Sequence, residues 1–311
     1  MEFFHKVTTY PFMHTRRIWY GVSSAAIVAS LALLLWHGLN LGIDFTGGVV
    51  LEFSYPKVAN VERTRAALEE AGYGEAQVQN FGDEHSIMVR LLPREKQDVN
   101  AVSAAVTAAL KHVDPNVQLR RAEVVGPQVG QELTNQGGLA VLFTFILIGV
   151  YTWFRFQWKM GVAAVIATLH DPIIILGFFA VTDIPFDLAV LAAILAVIGY
   201  SLNDTVVVFD RVRENFHSMR RSTPEEIMDA SINQTLSRTI ITSGATLLVV
   251  VVLLLVGGET LRGFSWALTI GIIVGTYSSI YVAGALALDM KLSARDLMPP
   301  AKEKSEVDAM P

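Results

Sequence analysis

The sequence lacks three features that would each indicate a common class of protein. It contains no cysteine, which excludes a disulfide-stabilised secreted scaffold and a thiolate zinc site. No lysine follows a glycine, so the phosphate-binding motif G-x-x-x-x-G-K-[ST] is absent. Charged residues make up only 17% of the chain, against about 25% in soluble domains. This shortage of charge argues against a soluble protein.

Six apolar stretches account for the shortage. Each has roughly the 20 residues that a helix needs to cross a hydrocarbon core of ~30 Å. The first is longer than the apolar region of a signal peptide and is bordered by Trp19 and Trp36, so we expect it to be retained. We therefore predict a polytopic α-helical membrane protein with six transmembrane helices. They are placed at 18–36, 138–154, 160–181, 186–209, 239–256 and 263–288.

Lysine and arginine residues predict the orientation of these helices. Fourteen of them lie in the segments on one side, whereas the short loops on the other side, 182–185 and 257–262, carry only Arg262. By the positive-inside rule we expect cytoplasmic termini, at 1–17 and in a tail at 291–311. The long segment 37–136 then lies outside. The net charge of −5 gives no indication of nucleic-acid binding.

The long segment 37–136 has the pattern of a folded domain. A Gly47-Gly48 turn precedes the first strand, and residues 82–85 join the second strand to the third. The predicted order β-α-β-β-α-β is that of a ferredoxin-like domain, lying between transmembrane helices 1 and 2. Its predicted strands are 49–55, 76–81, 86–91 and 117–124, and its predicted helices are 61–71 and 97–113.

Asp204 is a carboxylate inside the fourth apolar stretch. An ionisable group at the centre of a membrane helix costs at least ~2.5–3.5 kcal/mol, so it is a functional candidate by default. Tyr200 and Ser201 precede it by four and three residues and are predicted to share its face. The alternative is that Asp204 only accepts hydrogen bonds from neighbouring hydroxyls and so helps the helices to pack.

Arg238 begins the fifth apolar stretch. Thr235, Thr242 and Thr246 recur with it at helical spacing, which predicts a polar face that enters the membrane. An arginine on such a face would be a counter-ion for Asp204. The alternative is an arginine at a helix end that extends its side chain to the lipid headgroups.

His170 and Asp171 lie near the middle of the third apolar stretch, directly before Pro172. Proline removes a backbone donor from a helix, and the freed carbonyl groups attract polar partners. These two residues either form a secondary proton relay with Tyr200 and Ser201, or only satisfy the freed polar groups of a broken helix. The sequence does not decide between these two interpretations.

Small residues line one face of the sixth apolar stretch. Gly271, Gly275 and Ser279 are spaced by four, a pattern typical of closely packed membrane helices. The face is expected to pack against another helix, in this chain or in a partner subunit.

Five motifs resemble the SecF branch of the SecD/SecF family of protein-export membrane proteins, within the resistance-nodulation-division superfamily. They occur in the family's order between about 37 and 290. The first contains Asp44, Phe45, Thr46, Gly47 and Gly48, and the second contains Gly126, Pro127 and Gly130. The remaining three span 199–211, 236–240 and 271–279.

This resemblance implies a subunit of the SecD–SecF accessory complex of the Sec translocon, in the bacterial inner membrane. The complex is expected to use the proton-motive force in the late stages of preprotein export. Asp204 then matches the family's proton-linked aspartate and Arg238 its essential arginine. The implied partners are SecD, as an obligate six-helix partner, the SecYEG translocon with other accessory subunits, translocating preproteins and the lipid bilayer. No cofactor, metal or enzymatic activity is expected.

Three other functions remain open at this stage. The chain could be a structural subunit that orients SecD without a proton step of its own. It could also be a proton-driven exporter of small molecules or lipids from the same superfamily. An intramembrane aspartyl protease would use Asp171 and Asp204, but Ser-Leu-Asn precedes Asp204 where such enzymes have a G-x-G-D turn.

Overall fold

The computed structural model describes residues 8–92, 99–293 and 296. Most of the predicted tail 291–311 and the first residues of 1–17 lie outside these ranges. In chain order the main elements are α1 (Arg16–Trp36), α2 (Ile43–Thr46), β1 (Gly48–Ser54), α3 (Val61–Glu70), β2 (Gln77–Phe81), β3 (Asp83–Leu91), α4 (Val99–Val113), β4 (Gln118–Val125), α5 (Pro127–Arg155), α6 (Trp158–Thr182), α7 (Leu188–Ser218), α8 (Pro224–Val256), α9 (Gly258–Tyr277), a π-helix (Ser278–Ala283) and α10 (Gly284–Asp289).

Six helices in the described ranges are long and apolar enough to cross a membrane, which confirms the predicted class of fold. They are α1, α5, α6, α7, α8 and the run from α9 to α10. Several extend beyond the apolar stretches from which they were predicted. Thr223 and Glu226 form a capping box at the start of α8, well before Thr239. Hydropathy detects only the apolar part of a helix, which lies within the membrane, so the polar turns at the helix ends are missed.

The start of α5 shows the same difference. The predicted boundary at residue 136 falls inside this helix, which begins at Pro127 and runs without a break to Arg155. Proline fits the first position of a helix because its missing N–H would have no partner there. The sheet of the outer domain therefore continues into a membrane helix through Gly126 alone.

The centre of the bundle consists of α6, α7 and the run from α9 to α10, whereas α1, α5 and α8 lie around them. The outer helices expose large apolar side chains such as Leu35, Phe154 and Val256. In a bilayer these side chains face lipid, which is why the exposed surface is apolar.

The small face of the sixth span packs within this chain, against α7. A Cβ atom added at Gly271 would lie 2.3 Å from the Val197 side chain, and one added at Gly275 would lie 3.0 Å from the Ser201 Cβ. Only glycine allows the two backbones to approach so closely. Ser279 is buried in the π-helix and donates a hydrogen bond to the Thr276 carbonyl at 3.0 Å. This face is therefore not free to pair with a partner subunit.

The predicted ferredoxin-like domain is present between α1 and α5. Its four strands form an antiparallel sheet with the order β2-β3-β1-β4. Leu51, Phe53, Ile87 and Val89 on one face of the sheet are fully buried in a core that the helices α3 and α4 complete. The segment predicted as a four-residue loop is a tight turn at Gly82, whose φ of +83° favours glycine, and β3 begins at Asp83.

Candidate functional site in the helix bundle and its outer junction

Asp204 is buried inside the bundle with an unused acceptor. It lies on α7, its residue is 4% exposed, and its Oδ2 has no hydrogen-bond partner among the described residues. Buried polar atoms in folded proteins almost always have a partner, so an unpartnered carboxylate oxygen calls for a functional explanation. The arrangement suits a group that binds and releases a proton.

A chain of hydroxyl groups connects three helices beside Asp204. Tyr200 donates to Ser243 at 3.2 Å, and Ser243 lies 2.8 Å from the Thr276 hydroxyl. Ser243 also interacts with the Asp204 carboxylate. Sequence reasoning had not selected Ser243 or Thr276, although Ser243 follows Thr235 and Thr239 at intervals of four residues. These three residues of α8 are buried.

Arg238 and Thr242 lie on a different face of α8 from the buried one. Both are exposed on the surface of the bundle. Thr242 donates to the Arg238 carbonyl at 3.0 Å, as Thr246 does to the Thr242 carbonyl at 2.9 Å, so each satisfies its hydroxyl within the helix. The predicted polar face is therefore divided: Arg238 and Thr242 lie on the outside of the bundle, whereas Thr235 belongs to the buried face.

No ion pair within 4.0 Å joins Arg238 to Asp204 in the described part of the chain. The guanidinium nevertheless lies near enough for a Coulombic interaction with the Asp204 carboxylate. The direct contact expected from the sequence is thus replaced by an interaction at longer range.

His170 and Asp171 belong to a second polar centre. Asp171 is completely buried, and its Oδ2 accepts hydrogen bonds from Ser201 of α7 and from Ser278 of the π-helix, the latter at 3.0 Å. Ser201 shares a helix face with Asp204 in the sequence, but its hydroxyl is directed to Asp171, beside the His170 with which it was grouped in the predicted secondary relay. Tyr200 and Ser201, which are adjacent in sequence, therefore belong to two different networks.

The junction between the outer domain and the bundle is built by the glycine-rich motifs. Gly47 and Gly48 have φ values of +69° and +128°, and a Cβ atom at Gly48 would lie 2.4 Å from the Leu91 carbonyl oxygen. A Cβ atom at Gly130 of α5 would lie 2.8 Å from the Gly47 nitrogen. Only glycine fits these positions. Thr134 of α5 also donates to the Phe45 carbonyl, at 3.3 Å.

The same junction also contacts the start of the helix that carries Asp204, where Asp187 is the N-cap residue. The Asp44 carboxylate accepts a hydrogen bond from the Leu188 N–H at 3.0 Å, at the first turn of α7. Gly42 N–H donates to the Phe186 carbonyl at 2.7 Å, and Phe186 N–H donates to the Asn40 carbonyl at 2.8 Å. A negative charge at a helix N-terminus is stabilising because the first N–H groups and the helix dipole point toward it.

Arg90 ties the sheet to this junction. Its guanidinium donates to the side chains of Asn40 and Thr46 and to the Leu41 carbonyl. Burial lowers the pKa of the Arg90 guanidinium. Its partners are neutral oxygen atoms, so the contact depends on geometry rather than on an opposite charge.

A polar cleft separates the other face of the sheet from the loops at the end of the bundle. Its volume is about 440 Å³. Two contacts cross it near the start of α9: Arg121 donates to Thr260 at 3.0 Å, and Gly82 lies against the Glu259 side chain. Within the described residues no cluster of three or more histidine, aspartate or glutamate side chains is arranged to hold a metal ion.

Comparisons with known proteins identify the family. The family described as "Protein export membrane protein SecD/SecF, C-terminal" matches residues 105–293, and the "SecD/SecF GG Motif" matches residues 37–55. The chain belongs to the SecD/SecF family. Its curated relatives are named protein translocase subunit SecF. The Vibrio alginolyticus protein is 50% identical over 97% of both chains, and the Pseudomonas aeruginosa protein is 44% identical over 98% of this chain and 99% of its own.

Solved structures of SecDF support the assignment. The crystal structure of SecDF from Thermus thermophilus, described as a translocon-associated membrane protein, matches with a TM-score of 0.83 and 36% identity. It covers 91% of this chain, which spans only 39% of the longer SecDF chain. This SecF-type chain is thus a multi-pass membrane subunit of a SecD–SecF translocase complex. The GG motif is the junction that contains Asp44.

Proposed function

We propose that this SecF-type subunit, together with SecD, uses the proton-motive force to drive late stages of preprotein export at the SecYEG translocon. The observation that carries the proposal is the Asp204 carboxylate, buried in a membrane helix with an unpartnered Oδ2. The chain works without nucleotide hydrolysis or another enzymatic step, because the proton gradient is the energy source within reach of the bundle.

The outer domain is periplasmic in this proposal, and both termini are cytoplasmic in the inner membrane. The domain lies at the same end of the bundle as the loop before α7 and the start of α9, since Gly42 bonds to Phe186 and Arg121 bonds to Thr260. Those loops carry one basic residue between them, Arg262. The positive-inside rule favours a periplasmic location for that end.

SecD packs, we infer, against the exposed face of α7. Ala192, Ala196, Gly199 and Asn203 on this face are exposed and small, at spacings of four, three and four residues. The Asn203 amide makes no side-chain hydrogen bond among the described residues, and a polar side chain at membrane depth needs a partner. Arg238 is exposed on the neighbouring helix α8. Docking of SecD at this face would enclose Arg238 and bring a second subunit close to Asp204.

The proton cycle alternates the charge of Asp204. The ionised carboxylate attracts Arg238, and a proton removes that attraction. One charge that moves through 100 mV gains ~2.3 kcal/mol, so ~150–200 mV supplies roughly 3.5–4.6 kcal/mol per proton. This energy changes a two-state equilibrium by about 400- to 2,000-fold.

The GG-motif junction transmits the change to the outer domain. Asp44 holds the start of α7, while Gly47 and Gly48 enter β1 directly. A shift of α7 therefore acts on the first strand of the sheet. Two solved SecDF structures have the same sequence identity to this chain, 36%, but they match its fold with different TM-scores, 0.83 and 0.69. The second structure is of SecDF in a super-membrane-facing form. This difference supports two arrangements in related proteins.

Arg238→Lys tests the proton step. We expect the variant to assemble with SecD and to lose most of the export that an uncoupler inhibits, because lysine keeps the charge but lacks the planar fork that would bind a carboxylate once docking of SecD encloses Arg238. The measurement is protease protection of a translocating preprotein in inner-membrane vesicles. Arg213→Lys is the control, since Arg213 is exposed, lies outside the family motifs and forms no ion pair among the described residues. Near-normal export by Arg238→Lys would identify Arg238 as a lipid anchor.

Asp44→Ala tests the junction. Loss of a negative charge at a helix N-terminus costs up to about 1 kcal/mol. We expect the rate of late export to fall about fivefold, while proton uptake by the complex is unchanged. Asp44→Asn should retain much of the activity because the amide oxygen can still accept from Leu188. Parallel losses of export and proton uptake in Asp44→Ala would contradict a transmission role.

A further inference from the structure

A second buried polar centre has no assigned part in the cycle proposed above. It consists of His170 and Asp171 on α6, Ser201 on α7 and Ser278 at the first position of the π-helix. All four residues are at most 2% exposed. π-Helical turns within α-helices occur frequently at functional sites.

The hydrogen bonds of this centre leave one atom unused. The Asp171 Oδ2 accepts from the Ser201 and Ser278 hydroxyls, and its Oδ1 lies 2.9 Å from the His170 Nδ1. An ionised carboxylate only accepts hydrogen bonds, so Nδ1 carries the imidazole hydrogen. The His170 Nε2 is then a lone-pair acceptor, and it is buried without a hydrogen-bond partner among the described residues.

The charge of the pair indicates what Nε2 binds. With a neutral imidazole and an ionised carboxylate, the pair carries one negative charge in the membrane interior. A proton on Nε2 forms an imidazolium beside the carboxylate, and the pair becomes neutral overall. A low-dielectric environment favours such compensation. We propose that His170 and Asp171 form a second proton-binding site, loaded at the His170 Nε2 and distinct from Asp204.

Few other titratable groups lie in the apolar parts of the helices that pack against α6. They are Tyr20 on α1, Tyr151 on α5, Tyr200 and Asp204 on α7, and Tyr277 and Tyr281 in the sixth span. The Tyr277 ring lies 6.0 Å from that of His170, but its hydroxyl is already bonded to Ser23 and to the Trp19 carbonyl.

Ser201 links the second site to the first. It donates to Asp171 and lies three residues before Asp204 on α7, which is about one helical turn. Loading of either site therefore changes the electrostatic energy of the other through a short, buried path. The inference rests on the proposed proton-driven function and adds a second proton site to the cycle of Asp204.

The substitution His170→Asn distinguishes a histidine that binds a proton from one that has only a structural role. The asparagine amide nitrogen can replace Nδ1 as the donor to Asp171, but nothing replaces Nε2. The experiment counts the protons that the purified complex with SecD takes up as the pH is lowered from alkaline to mildly acidic values. We expect His170→Asn to take up about one proton fewer than the wild type. The same deficit is expected when both are compared in an Asp204→Asn background.

Equal uptake by His170→Asn and the wild type would overturn the inference, because a histidine that never binds a second proton contributes nothing to the count. If the His170→Asn complex fails to assemble, Asp171→Asn provides the test. It removes the negative charge that stabilises the imidazolium and should show the same deficit. Failure of the Asp204 proposal is recognised separately, by normal export in Asp204→Asn, and does not change the His170-dependent count.

Discussion

Asp204→Asn will leave the chain inserted and bound to SecD, but it will abolish the export that depends on the proton-motive force. Asparagine has nearly the same shape as aspartate and can still accept a hydrogen bond from Ser243, so helix packing is preserved. It cannot bind and release a proton, so the cycle no longer gains energy from the membrane potential, which supplies ~2.3 kcal/mol for each charge that crosses 100 mV. The measurement is the late phase of preprotein translocation in vesicles, with and without an uncoupler.

Asp183→Asn is the matched control for this substitution. Asp183 is exposed in the loop before α7 and has a φ of 55°, a conformation that asparagine adopts readily. The control should export normally. Normal uncoupler-sensitive export by Asp204→Asn would instead mean that the carboxylate serves helix packing, and the chain would be a structural subunit that orients SecD.

Replacing residues 49–124 by a two-residue turn will produce a bundle that inserts and binds SecD but fails in late export. The structure defines this deletion, because Gly48 and Val125 are paired across β1 and β4 and a hairpin turn can join them. Each membrane helix keeps its own apolar stretch, and the exposed face of α7 is unchanged. The sheet that would contact emerging preprotein is gone.

The readout is a time course of protease protection for a slowly folding preprotein, followed by co-purification with SecD. We expect the protruding intermediate to accumulate, and the rate at which it completes translocation no longer to depend on the uncoupler. Completion of the late stage at the normal, uncoupler-sensitive rate would show that the outer domain is not the pulling element. The proton step would then act directly on the channel.

Local sequence determined the elements of this protein. Six apolar stretches predicted six membrane helices, because burial in lipid depends on the composition of each stretch and hardly on its neighbours. Alternation and helical spacing likewise predicted the β-α-β-β-α-β order of the outer domain. The ends of α5 and α8 were missed because polar helical turns outside the membrane carry no hydropathy signal.

Local sequence also selected Asp204 and Asp171, since a carboxylate within an apolar stretch is conspicuous wherever the helix lies. The spacing of residues on a helix fixes their angles relative to one another, but it does not fix which angle faces the bundle. Two stripes on α8 fit the same period, and only packing against α7 and α9 turned Thr239 and Ser243 inward and Arg238 outward.

Contacts between distant segments were decided by the tertiary structure alone. Ser201 lies on the same helix face as Asp204 in the sequence, and only the approach of α6 and the π-helix brings its hydroxyl to Asp171. Asp44 accepts a hydrogen bond from the first turn of a helix that begins more than a hundred residues later in the chain. Such pairings depend on how closely the backbones of different segments approach each other. Glycines such as Gly271 and Gly130 allow a close approach because they have no side chain.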